Sequence, residues 1–119
     1  RKNGIDKYRI IEKYTIKKII KFKDNLVIAT GGGTPLAIDM EWLNKNALTI
    51  YLDVSNEELL NRIIAANNSD RPSFDNLSKD EISLKIVDEM RVRQDIYNKC
   101  IIKCSEDNLK VKNVLKYIR

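Results

Sequence analysis

Three consecutive glycines, the glycine triplet, stand where a strand-to-helix loop could bind a ligand. The triplet follows the short apolar stretch 26–30, stands directly before Thr34-Pro35, and consists of Gly31, Gly32 and Gly33. Successive glycines lose backbone entropy on folding and contribute no packing. Their N–H groups, beside a helix N-terminus, suit an anion or an oxygen-rich ligand. We interpret the triplet as a binding loop, with a tight strand-to-helix turn as the alternative.

Arg93 interrupts the apolar stripe of a long predicted helix. The other members of this stripe, at three- and four-residue steps, are Ile82, Ile86, Met90 and Tyr97. An arginine here faces inward or lines a cleft, and an unpaired buried guanidinium is very unfavourable, so we expect an anionic partner. A bound ligand, an internal pair with a carboxylate such as Glu12, and a side chain that extends to solvent all fit the spacing.

Arg9 is a second charged residue on an apolar helical face. It shares that face with Ile16 and Ile19 in a predicted helix from about residue 5 to residue 22. Glu12 follows one turn later and would orient the guanidinium through an i, i+3 pair. An ordinary surface ion pair is the simpler interpretation of the same spacing.

Two further arginines are weaker candidates. Arg71 precedes a proline in the polar stretch 67–77, which has no periodicity and which we interpret as a mobile loop. An arginine in such a loop could close over a phosphate and stabilise transferring charge. Arg62 faces the end of its predicted helix, where it would also complement the helix C-terminal partial charge.

The elements that must position these residues alternate between helix and strand. The predicted strands are Leu26–Thr30, Ala47–Val54 and Lys99–Cys104, the first two of them buried. The predicted helices after residue 22 are Thr34 to about Asn44, about 55–66, about 78–98, and one that follows the Ser105–Asn108 turn. This alternation is typical of an α/β protein with a parallel sheet. Ligands of such sheets bind beyond the carboxyl ends of the strands, where the glycine triplet stands.

Local sequence signals mark the helix starts. Thr34 is a predicted N-cap, with Pro35 at the first helical position. Ser55 and Ser78 each stand three residues before a glutamate, which predicts a capping box at both helices.

Composition excludes several classes of site. The chain has no histidine and two cysteines, so it cannot form a Ser-His-Asp triad, a thiol–imidazole pair or a zinc finger. Cys100 and Cys104 are interpreted as small buried hydrophobic residues of a reducing, cytoplasmic compartment. The net charge is +5, and the basic residues are interspersed with acidic ones, which favours a solvated surface over a nucleic-acid interface. No stretch approaches the ~20 apolar residues of a membrane span.

Five short motifs stand in order along essentially the whole chain. They are YRIIE at Tyr8–Glu12, VIATGGG at Val27–Gly33, YLDVSNEELLNR at Tyr51–Arg62, RP at Arg71-Pro72 and RQDIY at Arg93–Tyr97. In this order and spacing they resemble the shikimate kinase family, which shows FR..E, GGG, YLD...E.L..R, RP and R...Y. One such motif is a weak signal, whereas five in register are specific.

The resemblance implies a P-loop kinase of the nucleoside-monophosphate-kinase type, an α/β three-layer fold with helices on both faces of a parallel sheet. Such an enzyme transfers the γ-phosphoryl of ATP, with Mg²⁺, to the 3-hydroxyl of shikimate in aromatic amino-acid synthesis. The implied shikimate-binding residues are Arg9, Gly31, Gly32, Gly33 and Arg93, with Glu12 orienting Arg9. The implied lid lies at about 67–78, with RPSF where RPLL is more usual. Its Arg71 would reach the ATP phosphates, and Arg62 and the Ser105–Asn108 turn would flank the adenine.

The family pattern also has parts that this chain does not show. The family begins with a strand, a Walker A loop and a helix, and then a second strand that ends in an aspartate, all upstream of FR..E. No lysine follows the glycine triplet, so the triplet is not a Walker A loop. We therefore expect residues 1–119 to be one partial domain that begins at Arg1 rather than Met, with no metal ligands of its own and with the Mg²⁺ ligands in an upstream region.

The missing region bears on stability as well as chemistry. The family sheet order resembles 2-3-1-4-5, in which the strands predicted here are the third, fourth and fifth. Without the first strand, the third and fourth have unpaired facing edges, and each buried unpaired backbone group costs ~1–3 kcal/mol. We expect the 119 residues alone neither to fold stably nor to phosphorylate a substrate.

Other functions fit parts of the pattern. A non-catalytic module that retains only the shikimate site is the main alternative to a kinase. A kinase of the same fold with another anionic acceptor ranks third, and nucleic-acid binding ranks last. The expected partners are shikimate and ATP, without nucleic acid or membrane, and the complete protein is expected to be monomeric.

Overall fold

The described residues form helices and two strands in the predicted order, except that the first predicted strand is absent. The computed structural model describes residues 2–22, 25–66, 74, 76–105 and 109–117. The helices are α1 (Lys2–Ile20), α2 (Thr34–Ala37), α3 (Met40–Asn46), α4 (Asn56–Ala65), α5 (Lys79–Tyr97) and α6 (Val111–Val114), the last followed by a 3₁₀ turn at Leu115–Tyr117. The strands are β1 (Ile50–Asp53) and β2 (Ile102–Ser105). No helix among the described residues is both long enough and apolar enough to cross a membrane.

Both predicted serine caps are present. The Ser55 hydroxyl accepts the Glu58 N–H at 3.2 Å and begins α4. The capping box of α5 is reciprocal, because Ser78 Oγ accepts the Glu81 N–H at 3.2 Å while Glu81 Oε1 accepts the Ser78 N–H at 3.1 Å. These local contacts confirm the predicted starts of the two helices that flank the lid region.

The strands β1 and β2 pair in parallel, with Ile50 opposite Ile102 and Asp53 opposite Ser105. The chain between them contains α4 and α5, the crossover that a parallel pair requires. Both strands are shorter than predicted, and β1 is half-buried rather than buried. Their adjacency agrees with the order that the family resemblance implies for its fourth and fifth strands.

The 26–30 stretch does not form the predicted buried strand. The side chain of Leu26 is 49% exposed and that of Val27 is 99% exposed. A strand obtains its backbone hydrogen bonds from neighbouring strands, and no described residue pairs with this stretch. Because the stretch is exposed, its backbone groups face solvent rather than being buried without partners.

The predicted helix from Thr34 to Asn44 is two helices. The backbone leaves helical geometry at Ile38, with φ −125° and ψ 137°, and α3 starts after Asp39. Gly33 rather than Thr34 is the N-cap of α2, so the predicted cap is wrong by one residue. The Thr34 hydroxyl does not cap the helix, since it donates to a side chain of α1.

Two small apolar cores hold these elements. The first lies where α1 packs on α2 and α3, and its buried members are Ile16, Ile38, Met40 and Leu43. The second lies between α4 and α5, and its buried members are Ile63, Phe74, Ile82 and Ile86. Phe74 belongs to the predicted lid, and its side chain is packed in the second core. Cys104 is fully buried as predicted, whereas Cys100 is only half-buried.

Candidate functional site

The glycine triplet forms a turn between α1, α2 and α5. The Thr34 N–H donates to the Gly31 carbonyl at 3.1 Å, and the Leu36 N–H donates to the Gly33 carbonyl at 2.9 Å. The helix that follows, α2, has four residues, so its dipole adds little to any anion site. What distinguishes the triplet is instead the set of side chains packed against it.

Arg9 occupies the space that a side chain at position 33 would need. A Cβ atom at Gly33 would lie 2.0 Å from Nη1 and 2.3 Å from Cζ of Arg9. No side chain could occupy that volume while the guanidinium stays in place. Gly33 has φ −89°, which any residue adopts, so the close approach of Arg9, and not the backbone geometry, favours glycine at this position.

Glu12 holds Arg9 and the start of α2 together. Its Oε1 accepts a hydrogen bond from Arg9 Nη1 at 3.3 Å, and its Oε2 accepts one from the Thr34 hydroxyl at 2.8 Å. A Cβ at Gly31 would lie 3.2 Å from the same Oε2. The Glu12 side chain is 10% exposed and that of Arg9 26%. The predicted i, i+3 pair is therefore present and partly buried.

Arg93 and Tyr97 approach the triplet from α5. A Cβ at Gly32 would lie 3.2 Å from the Tyr97 hydroxyl oxygen and 3.4 Å from Arg93 Nη1. The Tyr97 hydroxyl donates a hydrogen bond to the Gly32 carbonyl. The anionic partner of Arg93 is Glu89, at 3.9 Å from Nη1, and not Glu12.

Tyr97 also joins the site to the sheet. Its ring centroid lies 5.1 Å from that of Tyr51 on β1. The Tyr51 hydroxyl donates to Asp53 Oδ1 at 3.1 Å, and Lys103 Nζ lies 3.6 Å from Asp53 Oδ2. Burial, and next the negative charge of Asp53, raise the pKa of Tyr51 to about 12. Tyr51 is therefore a neutral hydrogen-bond donor under ordinary conditions.

Arg62 does not join this cluster, and the other predicted nucleotide-side residues lie mostly outside the described part of the chain. Arg62 pairs with Glu58 along α4 at 3.0 Å, and both side chains are about half exposed. Arg71 lies outside the described residues, as do positions 106–108 of the predicted adenine-side turn. In the described parts of the chain, no three His, Cys, Asp or Glu side chains group as metal ligands. The described residues therefore do not fit a Mg²⁺ site.

Thr34 and Tyr97 belong to the cluster, although no site role was predicted for them from the sequence. Thr34 follows the triplet and carried a cap signal, while Tyr97 belongs to the RQDIY motif and to an apolar stripe. A tyrosine in such a stripe must find a partner for its hydroxyl, which was the available signal. For Thr34 no signal existed, because its partner Glu12 is 22 residues away.

The cluster presents two guanidinium groups next to adjacent glycines. Arg9 makes one hydrogen bond among the described residues, and the contact of Arg93 with Glu89 is longer than a hydrogen bond. Since a guanidinium has five N–H donors, both arginines retain donors for a further anion. A planar carboxylate matches such paired forks.

Comparisons with known proteins agree with this geometry. The family model described as shikimate kinase matches residues 1–119. The chain is 35% identical over 100 residues to a shikimate kinase of Azobacteroides pseudotrichonymphae, covering 83% of this chain and 58% of that protein. It is 34% identical over 117 residues to one of Clostridium botulinum, covering 98% of this chain and 66% of that protein.

A solved structure is also similar to this chain. The crystal structure of shikimate kinase from Bacteroides thetaiotaomicron matches with a TM-score of 0.80 and 26% identity, over 93% of this chain and 65% of that one. The fold is thus that of the P-loop kinases, as predicted. The chain spans somewhat more than half the length of several curated relatives that it matches. It belongs to the shikimate kinase family.

Proposed function

We propose that this chain carries the shikimate-binding part of a shikimate kinase, which transfers the γ-phosphoryl of ATP to the 3-hydroxyl of shikimate. The observation that carries the proposal is the approach of Arg9 and Arg93 to adjacent glycines of one turn. Two cationic forks beside exposed backbone suit a small carboxylated polyol. Family membership and the likeness to a shikimate kinase structure support the same acceptor.

Each residue of the site has a distinct proposed task. The guanidinium groups of Arg9 and Arg93 bind the shikimate carboxylate through charge-assisted hydrogen bonds. Glu12 orients Arg9, to which it is hydrogen-bonded at 3.3 Å. The backbone of the glycine triplet contacts the substrate beside the two guanidinium groups. Holding the acceptor in one orientation lowers the entropic part of the barrier to transfer.

The ATP side of the reaction is proposed from the family alone. Arg71 would reach the ATP phosphates when the lid closes, and Arg62 would lie on the adenine side. Mg²⁺ would offset the negative charge of the transferring phosphoryl. We propose residues 1–119 as one part of a kinase domain, with the Walker A lysine and the Mg²⁺ ligands upstream. By themselves these residues would then phosphorylate nothing.

The proposal extends to the setting of the enzyme. We propose that the complete gene product acts as a monomer in the cytoplasm, on shikimate and ATP. The second candidate function is a non-catalytic shikimate-binding module, and it is favoured by the formation of the acceptor cluster within residues 9–97.

An assay of the full-length gene product tests the proposal. We expect ATP-dependent phosphorylation of shikimate, and we expect Arg93→Lys to raise KM for shikimate at least about tenfold, because lysine lacks the bidentate fork. Arg91→Lys is the matched control, since Arg91 lies on the same helix and is 75% exposed. Its kinetic constants should match those of the wild type.

Two results would count against the kinase. Binding of shikimate without phosphorylation by the full-length product would favour the module. Phosphorylation with the same shikimate KM in the Arg93→Lys and Arg91→Lys variants would remove Arg93 from the site.

A further inference from the structure

We propose that Thr34 is a positioning residue whose hydroxyl fixes the Glu12 carboxylate and, through it, the Arg9 guanidinium. The contact between Thr34 and Arg9 is indirect, with Glu12 between them. The consequence for substrate binding rests on the proposed function, whereas the effect on Arg9 does not.

The position of Thr34 carries the first part of the inference. Thr34 is 1% exposed, the one buried polar residue among those that the structure describes. Its hydroxyl donates to Glu12 Oε2 at 2.8 Å, across 22 residues of sequence. A buried hydroxyl needs a partner, and a charged acceptor makes this hydrogen bond stronger than a neutral one.

The two carboxylate oxygens of Glu12 link Thr34 to Arg9. Oε1 accepts from Arg9 on α1, while Oε2 accepts from Thr34 on α2, so each oxygen has a donor from a different helix. The carboxylate plane is therefore set by both helices rather than by α1 alone. Among the described residues neither oxygen accepts a hydrogen bond from another side chain.

Arg9 depends on this arrangement because the residue against its guanidinium at the N-cap of α2, Gly33, has no side chain. The guanidinium occupies the space that a Cβ at Gly33 would need, since that atom would lie 2.0 Å from Nη1. No side chain of the triplet can hold the guanidinium from that side. An i, i+3 pair on a helix surface is a weak interaction, so it leaves Arg9 several rotamers unless Glu12 is itself fixed.

Two substitutions separate the hydroxyl from the bulk of Thr34. Thr34→Val keeps the volume and removes the donor, and Thr34→Ser keeps the donor and removes a methyl group. The matched control is Thr15→Val, at an exposed position of α1. Each variant is made in the full-length gene product.

The kinetic measurement uses shikimate and ATP. We expect Thr34→Val to raise KM for shikimate about tenfold with kcat and KM for ATP unchanged, because binding common to ground and transition states is lost. We expect Thr34→Ser to remain within about threefold of the wild type and Thr15→Val to equal it.

The second measurement needs no substrate. The Arg9 guanidinium signals in ¹⁵N NMR spectra, assigned by their loss in Arg9→Lys, report how tightly the group is held. We expect restricted, separate Nη signals in the wild type and in Thr34→Ser, and averaged signals in Thr34→Val. In a Glu12→Gln background, Thr34→Val should change these signals little, because the two residues act as one unit.

The outcomes distinguish this inference from the proposed function. Arg9 signals that are the same in Thr34→Val and wild type would overturn the inference, and so would Thr34→Ser behaving like Thr34→Val. If the Arg9 signals respond as expected while no form phosphorylates shikimate, the positioning role stands and the proposed function fails.

Discussion

The 26–30 stretch and the four residues that follow it are neighbours in sequence and opposites in environment. The stretch is apolar and exposed, with Val27 99% accessible. The residues after it, the glycine triplet and Thr34, have little apolar surface, yet Gly33 and Thr34 are buried. Hydropathy alone would predict a buried 26–30 stretch and an exposed glycine triplet and Thr34.

The difference lies in where each segment finds its partners. The glycine triplet and Thr34 are held by side chains of α1 and α5, which form from local signals. The 26–30 stretch needs a neighbouring strand on at least one edge, and no described residue supplies one. Apolar side chains become buried only when a surface is present to cover them.

Val27→Asp is expected to have the largest effect, because it tests whether the 26–30 stretch is buried or exposed. If the full-length gene product pairs the 26–30 stretch as a buried strand, the variant should lose about 3 kcal/mol of unfolding free energy there. In the 119-residue chain, where Val27 is exposed, the same change should leave the calorimetric trace unaltered, and we expect no cooperative transition in either form. Calorimetry of both forms makes the measurement.

Val111→Asp is the control, because Val111 is 74% exposed on α6 and should shift stability by no more than about 0.5 kcal/mol. A full-length protein that tolerates Val27→Asp equally well would show that the stretch stays unpaired. A cooperative two-state transition of the 119-residue chain would contradict our expectation that it does not fold stably alone.

Gly33→Ala tests the buried side of the comparison. The new Cβ would occupy the place of Arg9 Nη1, so the guanidinium must leave. We expect KM for shikimate to rise about 100-fold, equivalent to about 2.7 kcal/mol. The free energy of unfolding should change little, since the displaced group is the end of a flexible side chain. Unchanged KM would mean that Arg9 does not bind the substrate from this position.

Tyr97→Phe removes the hydroxyl that holds the Gly32 carbonyl. We expect the variant to lose about 1 kcal/mol of unfolding free energy, the typical net value of one hydrogen bond. Urea titration of the full-length product measures the loss. Tyr14→Phe is the tyrosine control, because Tyr14 is 73% exposed on α1, and equal losses in the two variants would contradict a hydrogen bond from Tyr97 that stabilises the triplet.

The pH dependence of stability sharpens the link between sheet and triplet. The pKa of Tyr51 is raised to about 12 in the folded protein against 10.0 for a free tyrosine. Its contribution to stability is therefore complete below pH 10 and falls as pH rises towards 12, because only the unfolded chain releases the proton there. Thermal unfolding of wild type and Tyr51→Phe between these pH values separates this effect from lysine titration, and identical slopes would contradict it.

Much of the site was predictable because its signals are local or motif-like. The Arg9–Glu12 pair follows from helical spacing, and Ser55 and Ser78 cap helices as their sequences predict. The inward position of Arg93 follows from its apolar stripe. The partner of Arg93 could not be predicted, because several carboxylates stand at compatible spacing. Only the folded structure shows that this partner is Glu89.

The errors share a different physical origin. The 26–30 stretch has the composition of a buried strand, but strand formation depends on a partner that composition does not supply. Thr34 carries a cap signal, but its hydroxyl donates to the Glu12 carboxylate instead. A hydrogen bond to a charged carboxylate is stronger than the neutral one that the hydroxyl would accept from a helix N–H. In both cases a contact from outside the segment, present or absent, decided the outcome.

The sequence by itself determined the α/β class, the serine-capped starts of α4 and α5 and the motif set that marks the shikimate kinase family, since these depend on periodicity and short spacing. Only the tertiary structure decided that Thr34 holds Glu12 across 22 residues and that Tyr97 holds Gly32 across 65. It also decided that the most strand-like segment lies exposed. Such contacts depend on how separate elements meet in space, and that information is not contained in any one of them.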